Sequence, residues 1–146
     1  MPTIAFPTET RRRLIALLHA ERCSCVIANG GQTRIFRQRG INDLFRLLHE
    51  EPELLDGAFV ADKVVGKGAA ALMILGGVRG VHADVMSTGA RELFAASGVE
   101  AACDLEVPHI VNRAHTGWCP VETLCRDCRS AEECLKPIRN FIHTVS

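Results

Sequence analysis

The sequence predicts an α/β protein of three layers, in which helices cover both faces of a mixed β-sheet. From Ala58 to Leu105, short apolar segments alternate with segments of helical periodicity, which is typical of parallel strands joined by right-handed crossovers. Ahead of them, Asn29-Gly30-Gly31 follows an apolar segment and favours a tight antiparallel hairpin. The chain has 146 residues, which suffices for one domain with a substantial core, so we expect a single domain over residues 1–146.

The expected elements follow from apolar periodicity and from the turn residues that separate them. Helices are predicted at residues 8–20, 41–50, 62–75 and 88–97, and strands at residues 25–28, 33–38, 58–61, 81–86 and 99–105. Ser87 or Thr88 is the predicted N-cap of the helix at residues 88–97. Near the C-terminus, Ser130 and Glu133 have the spacing of a capping box and predict the start of a last helix, which Pro137 should kink or restart.

The helix that is predicted to begin at Asp62 is the first candidate site. Asp62 follows a strand and is a natural N-cap, while Gly66 and Gly68 would let the helix backbone lie close to the sheet. The helix start lies at the strand ends, where α/β proteins commonly bind anions. We therefore expect a pocket for a small, anionic molecule, lined by Asp62, Lys63, Gly66 and Lys67. A capping aspartate beside two solvated lysines explains the same residues equally well.

A second candidate site is the turn that leads into Cys119. Pro120 is favoured at a first helical position, and Glu122 lies three residues after Cys119, so Cys119 is predicted to cap a helix in a capping box with Glu122. A cysteine at a helix N-terminus has a lowered pKa and is more reactive, which makes Cys119 a candidate nucleophile. In the same turn, His115 is a candidate base and Arg113 a candidate anion contact. Asn112 and Gly117 are candidates for further contacts with a ligand. The alternative is a cap in a well-packed turn.

Four of the seven cysteines form the pattern C-x5-C-x2-C-x5-C within residues 119–134, here called the cysteine loop: Cys119, Cys125, Cys128 and Cys134. The central two-residue gap is common among zinc and iron–sulfur ligands, so we expect a four-cysteine metal centre. The spacing is similar to the C-x6-C-x2-C-x5-C loop of endonuclease-III-type DNA glycosylases, which favours an iron–sulfur cluster over zinc. That similarity is confined to the loop. Reduced thiols and disulfides are the alternatives.

Composition and charge limit the expected partners. Lysine plus arginine and aspartate plus glutamate each number 17, so no net field attracts nucleic acid, which is not an expected partner. No segment approaches the ~20 apolar residues that span a bilayer, so we expect a cytoplasmic protein without membrane contact. An oligomer of identical chains is left open. Histidines outside the turn, His19 and His82 among them, are expected to be surface or packing residues.

Three stretches of the chain resemble the domain-of-unknown-function 1893 family: residues 61–71, residues 75–78, and Asn112-Arg113 together with residues 117–122. The resemblance implies a cytidine-deaminase-like fold, but no reaction, because the family has none assigned. Zinc deaminases carry His-x-Glu or Cys-x-Glu at one helix start and Pro-Cys-x-x-Cys at the next. The corresponding starts here, Asp62-Lys63-Val64 and Ser87-Thr88-Gly89-Ala90, lack those ligands, so a zinc-dependent base deaminase is not expected.

The functional prediction is a small ligand-binding or redox module with a deaminase-like fold and a four-cysteine metal centre. The alternative is an enzyme in which Cys119 is a reactive thiol, in a pocket with Asp62, Lys67 and Arg113 and with Glu122 as a further catalytic candidate. A third hypothesis is a structural domain in which the cysteine loop is only a staple. Cys119 separates the first two hypotheses, because one sulfur cannot be a metal ligand and a free nucleophile at once.

Overall fold

The computed structural model describes residues 8–38, 41–112 and 114–145, which contain seven helices and five strands. The helices are α1 (Thr8–Ala20), α2 (Asn42–Glu50), α3 (Pro52–Leu55), α4 (Lys67–Gly76), α5 (Thr88–Ser97), α6 (Pro120–Cys125) and α7 (Ala131–Val145). The strands are β1 (Cys25–Asn29), β2 (Gln32–Phe36), β3 (Phe59–Val65), β4 (Gly80–Ser87) and β5 (Glu100–Val107). Within these ranges, no helix is long and apolar enough to cross a membrane.

The strands form one mixed sheet in the order β2-β1-β3-β4-β5. β1 pairs antiparallel with both β2 and β3, while β3, β4 and β5 run parallel. Asn29 pairs with Gln32 across a two-residue turn, where Gly30 adopts a φ of 60°, a left-handed conformation that favours glycine. The predicted hairpin, the parallel crossovers and the mixed sheet flanked by helices are therefore confirmed.

Two apolar cores hold the helices to the sheet, one on each face. α1 covers one face, where Leu14 and Leu18 pack with Phe59 of β3. The other helices contribute to the larger core on the opposite face, together with residues such as Val60 and Val81 of the central strands. The smaller core takes its strand residues from β1 and β3 only. On the same face of the sheet, β4 and β5 are not covered by α1 and carry polar side chains such as His82 and Asp104.

The predicted boundary at Asp62 is wrong. β3 continues to Val65, and α4 begins only at Lys67, with Gly66 as its N-cap. Asp62 pairs with β1 on one side and with β4 on the other, and its side chain is buried. A carboxylate after an apolar segment has the pattern of a helix cap, but pairing on both sides of the strand decides its conformation. Asp62 is therefore a residue of the central sheet.

Pairing skips one position in each of the parallel strands, at Lys63, Asp84 and Asp104, while the register on either side is unchanged. The alternation of buried and exposed side chains changes phase at this row. Ala83 and Met86 both face the larger core although they are three residues apart. A strict period of two would place them on opposite faces. The row therefore sets which polar side chains of β4 and β5 face away from the larger core.

The helix ends use the expected residues. Ser87 caps α5, since its hydroxyl oxygen accepts a hydrogen bond from the Ala90 N–H at 3.2 Å. Gly98, with a φ of 74°, ends the same helix in a left-handed conformation. The Ser130 hydroxyl likewise accepts from the Glu133 N–H at 3.2 Å, as the capping box predicts. α7 then runs through Pro137 as one helix, so the predicted restart does not occur.

Candidate functional site

The candidate site lies at the carboxyl ends of β3 and β4, where α4 and α5 begin and where α6 packs against α4. The start of α4 lies close to α6, because a Cβ atom at Gly66 would be only 2.8 Å from the Glu122 carboxylate. At Gly68, a Cβ atom would overlap the side chain of Val121. The two glycines therefore permit close packing, as predicted from the sequence, but against α6 rather than against the sheet.

Glu122 is the buried polar residue at the centre of this region. Its Oε1 accepts hydrogen bonds from the Lys67 N–H at 2.6 Å and from the Ser87 hydroxyl at 3.4 Å. Its Oε2 accepts from the Ile110 N–H at 2.8 Å. The predicted capping box with Cys119 is therefore wrong, because Glu122 caps α4 instead of its own helix. The carboxylate joins the starts of α4 and α5 to the segment that follows β5.

Lys67 binds the cysteine loop. Its ammonium group donates one hydrogen bond to the Arg126 carbonyl at 3.1 Å and a second, short one to the Cys128 carbonyl. The side chain therefore satisfies carbonyls of the turn between α6 and α7. Lys67 does lie at a helix start beside the strand ends, as predicted, and its role as an anion contact stays a prediction.

Three thiols of the cysteine loop are neighbours, since Cys134 lies close to both Cys125 and Cys128. Cys125 and Cys134 are fully buried, while Cys128 is half-buried and its thiol donates a hydrogen bond to the Glu133 carbonyl at 3.5 Å. Burial raises the pKa of Cys128 to about 11, and the hydrogen bond to Cys125 raises that of Cys134. Within the described ranges, the sulfurs do not all lie within 4.8 Å of one another.

Cys119 lies apart from those three thiols. It is the N-cap residue of α6, as predicted, and Cys125 is the last residue of the same helix. Six residues of α-helix rise about 9 Å, so α6 holds the two cysteines at opposite ends. Cys119 is half-buried, and its N–H donates to the Ile110 carbonyl at 2.8 Å.

The turn before Cys119 is closed by its own polar groups. The Asn112 side chain accepts from the Thr116 N–H and donates to the Thr116 hydroxyl, each at 3.0 Å. His115 is exposed and has a left-handed φ of 56°. Arg113, the predicted anion contact, lies outside the described residues. Gly117 accepts a hydrogen bond from the Asn112 N–H at 2.9 Å, so the turn pairs back on itself.

Asp62 and Lys63 belong to the sheet. The Asp62 carboxylate contacts the Cys25 thiol and accepts from the Val64 N–H at 3.3 Å. Burial raises the pKa of Asp62 to about 7, and it raises the pKa of Cys25 well above its usual range. Lys63 is half-buried, and its N–H donates to the Ser24 carbonyl. The predicted pocket of Asp62, Lys63 and Lys67 at one helix start is thus divided between β3 and α4.

The sequence-based prediction omitted Ser87 and Ile110, which complete the environment of Glu122. Ser87 was predicted only as a helix cap. A buried glutamate that lacks a local partner would have been a signal for such contacts, but burial is not visible in an isolated sequence. His109, which precedes the turn, stacks on Trp118 with ring centroids 4.2 Å apart.

Comparison with known proteins identifies a family. The family model described as "TM1506: Domain of unknown function (DUF1893)" matches residues 13–142. The crystal structure of a DUF1893 family protein (TM1506) from Thermotoga maritima is similar to this chain, with a TM-score of 0.86 and 21% sequence identity over 96% of this chain and 95% of that one. No curated protein matches. At this identity the structural likeness establishes the fold alone, whereas the family match spans most of the sequence. The chain therefore belongs to the DUF1893 family.

Proposed function

We propose that the protein is a metal-binding module in which Cys125, Cys128 and Cys134 hold a thiophilic metal ion. The observation that carries the proposal is that Cys134 lies close to both Cys125 and Cys128, with Cys125 and Cys134 fully buried. Thiolates are soft ligands that select zinc, copper(I) or iron–sulfur clusters. Three such groups come from two helices and the turn between them.

A single zinc ion is the metal that we propose for these thiols. Zinc–sulfur bonds of about 2.3 Å in a tetrahedral site hold the sulfurs about 3.8 Å apart, which is close to a thiol–thiol contact. The sulfurs of Cys125, Cys128 and Cys134 do not all lie within 4.8 Å of one another, so metal binding would require these three side chains to draw together. An iron–sulfur cluster, the cofactor favoured by the sequence spacing, is the other outcome of the test below.

Metal binding suits these thiols better than nucleophilic chemistry. A thiol with a pKa of about 11, such as Cys128, is almost entirely protonated near neutral pH, and a protonated thiol is a poor nucleophile. A metal ion displaces the protons and supplies the positive charge that a buried thiolate needs. Lys67, whose charge favours the thiolate forms of Cys128 and Cys134, already lies beside this group.

Cys119 is the proposed fourth ligand from the sequence pattern, and its position at the far end of α6 weakens that part of the proposal. A water molecule or a fourth group from outside the loop would complete a three-cysteine site. A half-buried Cys119 left outside the metal site would be available as the reactive thiol of the alternative hypothesis.

The proposed fold relationship is to the cytidine deaminases. Support comes from the hairpin ahead of a parallel β-α-β-α-β unit and from the two helix starts, α4 and α5, at one edge of the sheet. Deaminases hold their zinc between such helix starts. In this chain, the Glu122 carboxylate bridges Lys67 and Ser87 at that position, so zinc-dependent base deamination is not proposed.

Metal analysis of anaerobically purified protein tests the proposal. We expect Cys134→Ser to bind one equivalent of zinc less than the wild type, while Cys103→Ser, a matched change on β5, binds as much as the wild type. Iron with acid-labile sulfide would instead establish a cluster. Cys119→Ser should leave the metal content unchanged if the site has three cysteines, and should reduce it if Cys119 is the fourth ligand. Reduced wild-type protein that takes up neither zinc nor iron would refute the proposal.

A further inference from the structure

We propose a second cation site, on the face of the sheet that carries α1, where His82, Asp84 and Asp104 bind a divalent transition ion such as zinc. These three residues are called the histidine–aspartate cluster. Their possible ligand atoms all lie within 4.8 Å of one another, and within the described ranges they form the only group of three histidine, cysteine, aspartate or glutamate side chains to do so. The site lies on β4 and β5, on the face of the sheet opposite the larger core to which Cys125 and Cys134 belong.

The register of the sheet brings the cluster together. His82 and Asp84 are two residues apart on β4, so their side chains share a face. Asp104 stands beside Asp84 on β5, between the pairs Ala83–Cys103 and Val85–Leu105. The preceding residues, Ala83 and Cys103, pack with the larger core, so strand alternation places Asp84 and Asp104 on the opposite face. Ordered strands therefore supply all three ligands.

His82 carries the strongest indication of a missing partner. Its Nε2 atom is buried and, among the described residues, has no hydrogen-bond partner. The Asp104 Oδ1 atom lies 3.5 Å away, too far for a good hydrogen bond. The flanking residues in the register, Ala61 on β3 and Ala102 on β5, are both small. A buried imidazole nitrogen without a partner, aimed at two carboxylates, has the donor chemistry of a metal ligand.

His19 of α1 holds Asp84 in place. Its Nε2 atom lies 3.0 Å from both carboxylate oxygens of Asp84. Metal-binding carboxylates are commonly oriented in this way by a neighbouring hydrogen-bonding group, which fixes the direction of the free lone pairs. His19 is thus a positioning residue, and it links α1 to a face of β4 that the helix itself does not cover.

Exposure and charge are compatible with a bound ion. The side chain of His82 is 14% exposed and that of Asp104 is 65% exposed, so the nitrogen is desolvated while the carboxylate stays open to solvent. Two neighbouring carboxylates repel each other, and a divalent ion between them would remove the repulsion. Lys63 occupies the adjacent position of the same row, but no ion pair joins it to Asp84 among the described residues.

The mixed donor set selects the class of ion. Magnesium and calcium prefer oxygen ligands alone, whereas one imidazole nitrogen with two carboxylates suits zinc, and also manganese or cobalt. Three protein ligands leave at least one coordination position for water, as in open zinc sites.

Zinc titration of the metal-free, reduced full-length chain tests this site. We expect isothermal titration calorimetry to detect a zinc equivalent that is weakened at least tenfold by His82→Gln or Asp104→Asn. His19→Gln, which removes only the support of Asp84, should weaken it up to tenfold. Asp56→Asn, the same change at an exposed carboxylate outside both proposed sites, is the matched control. In a nitrogen NMR spectrum of the histidine side chains, zinc should shift the signal of His82 Nε2.

Cobalt separates this site from the cysteine loop in one sample. Cobalt bound to thiolates has a sulfur-to-metal charge-transfer absorption, which a site of one nitrogen and two carboxylates lacks. Cys134→Ser should remove that absorption and leave the His82 signal responsive to the metal, whereas His82→Gln should do the opposite. An unmoved His82 signal at saturating zinc, or equal zinc affinity in wild type and in both ligand variants, would overturn the second site and leave the first untouched.

Discussion

Glu122 satisfies three donors from three separate segments, and this makes its carboxylate hard to replace. The Lys67 and Ile110 N–H groups bind different oxygens, at 2.6 and 2.8 Å. Glu122→Gln keeps the shape but turns one acceptor into a donor that faces an N–H group. Because an unsatisfied buried group costs about 1–3 kcal/mol, we expect the free energy of unfolding to fall by about that amount.

Urea denaturation would measure the Glu122→Gln effect, with Glu132→Gln as the control. Glu132 is an exposed glutamate of α7, so its amide variant should stay within about 0.5 kcal/mol of wild type. Equal stability of the two variants would mean that Glu122 is not bound as described. A loss of metal binding without a loss of stability would instead assign Glu122 to the function of the site.

Asp62 makes the stability of the protein depend on pH in an unusual direction. Its pKa is raised from 3.8 to about 7 in the folded chain, so between these values the folded state holds a proton that the unfolded state has lost. The free energy of unfolding should therefore decrease as the pH rises from about 4 to about 7, and this contribution should then level off.

Asp62→Asn removes the titration while keeping an acceptor for the Val64 N–H. Above neutral pH, the variant should be more stable than wild type by up to about 4 kcal/mol, and the difference should vanish near pH 3. Chemical denaturation at several pH values would measure this, with the exposed Asp127→Asn as a control that shows no such trend. Parallel pH profiles for wild type and Asp62→Asn would contradict the raised pKa.

At the scale of elements, the packing of α4 against α6 depends on Gly68. A methyl group there would overlap Val121, and overpacking of this kind costs about 1–3 kcal/mol. Alanine has a higher helix propensity than glycine, by up to about 1 kcal/mol in a helix interior, and this gain offsets part of the loss. We expect Gly68→Ala to lower the free energy of unfolding by about 1–2 kcal/mol.

Thermal or urea unfolding would test Gly68→Ala against Gly31→Ala. Gly31 lies in the exposed hairpin turn, and no atom lies within 4 Å of the position that a methyl group would take there, so its variant should be nearly neutral. A stabilised Gly68→Ala protein would show that helix propensity outweighs the contact and that α6 can move away from α4.

The elements that depend on local pattern were predictable from the sequence. The hairpin at Gly30, the Ser87 cap and the Ser130 capping box all use residues close in sequence to their partners. The end of β3 was not predictable, because Asp62 has the local pattern of a cap, and its place in the strand depends on pairing with β1 and β4. Local chemistry therefore determined the element types, and long-range pairing determined this boundary.

The candidate sites show the same division. The spacing of the cysteines predicted one centre that includes Cys119, which α6 holds at the opposite end from Cys125. Glu122 was assigned to its own helix, since its true partner Lys67 lies 55 residues away. The histidine–aspartate cluster depends on the register of two parallel strands, so His82 was predicted to be an ordinary surface or packing residue.

At the scale of the whole molecule, the cysteine loop connects α4, α6 and α7, so a metal bound there should stabilise the entire fold. A ligand that binds only the folded state, at 100 times its dissociation constant, adds about 2.7 kcal/mol to the free energy of unfolding. For a chain of this size, that corresponds to a rise of about 5–10 °C in the melting temperature.

The rise should depend on pH, because the metal must displace protons from thiols whose pKa values are raised, to about 11 for Cys128. Acidification makes that displacement harder, so the zinc-induced shift in melting temperature should be larger at about pH 8 than at about pH 6. Calorimetric melting of the metal-free chain with and without zinc would measure both shifts.

To isolate the cysteine loop, the experiment uses His82→Gln as the parent, so that the second proposed site does not contribute. Cys134→Ser in that parent should show no shift at either pH. A zinc shift of equal size at both pH values, or one that survives Cys134→Ser, would mean that the stabilising metal is not held by these thiols.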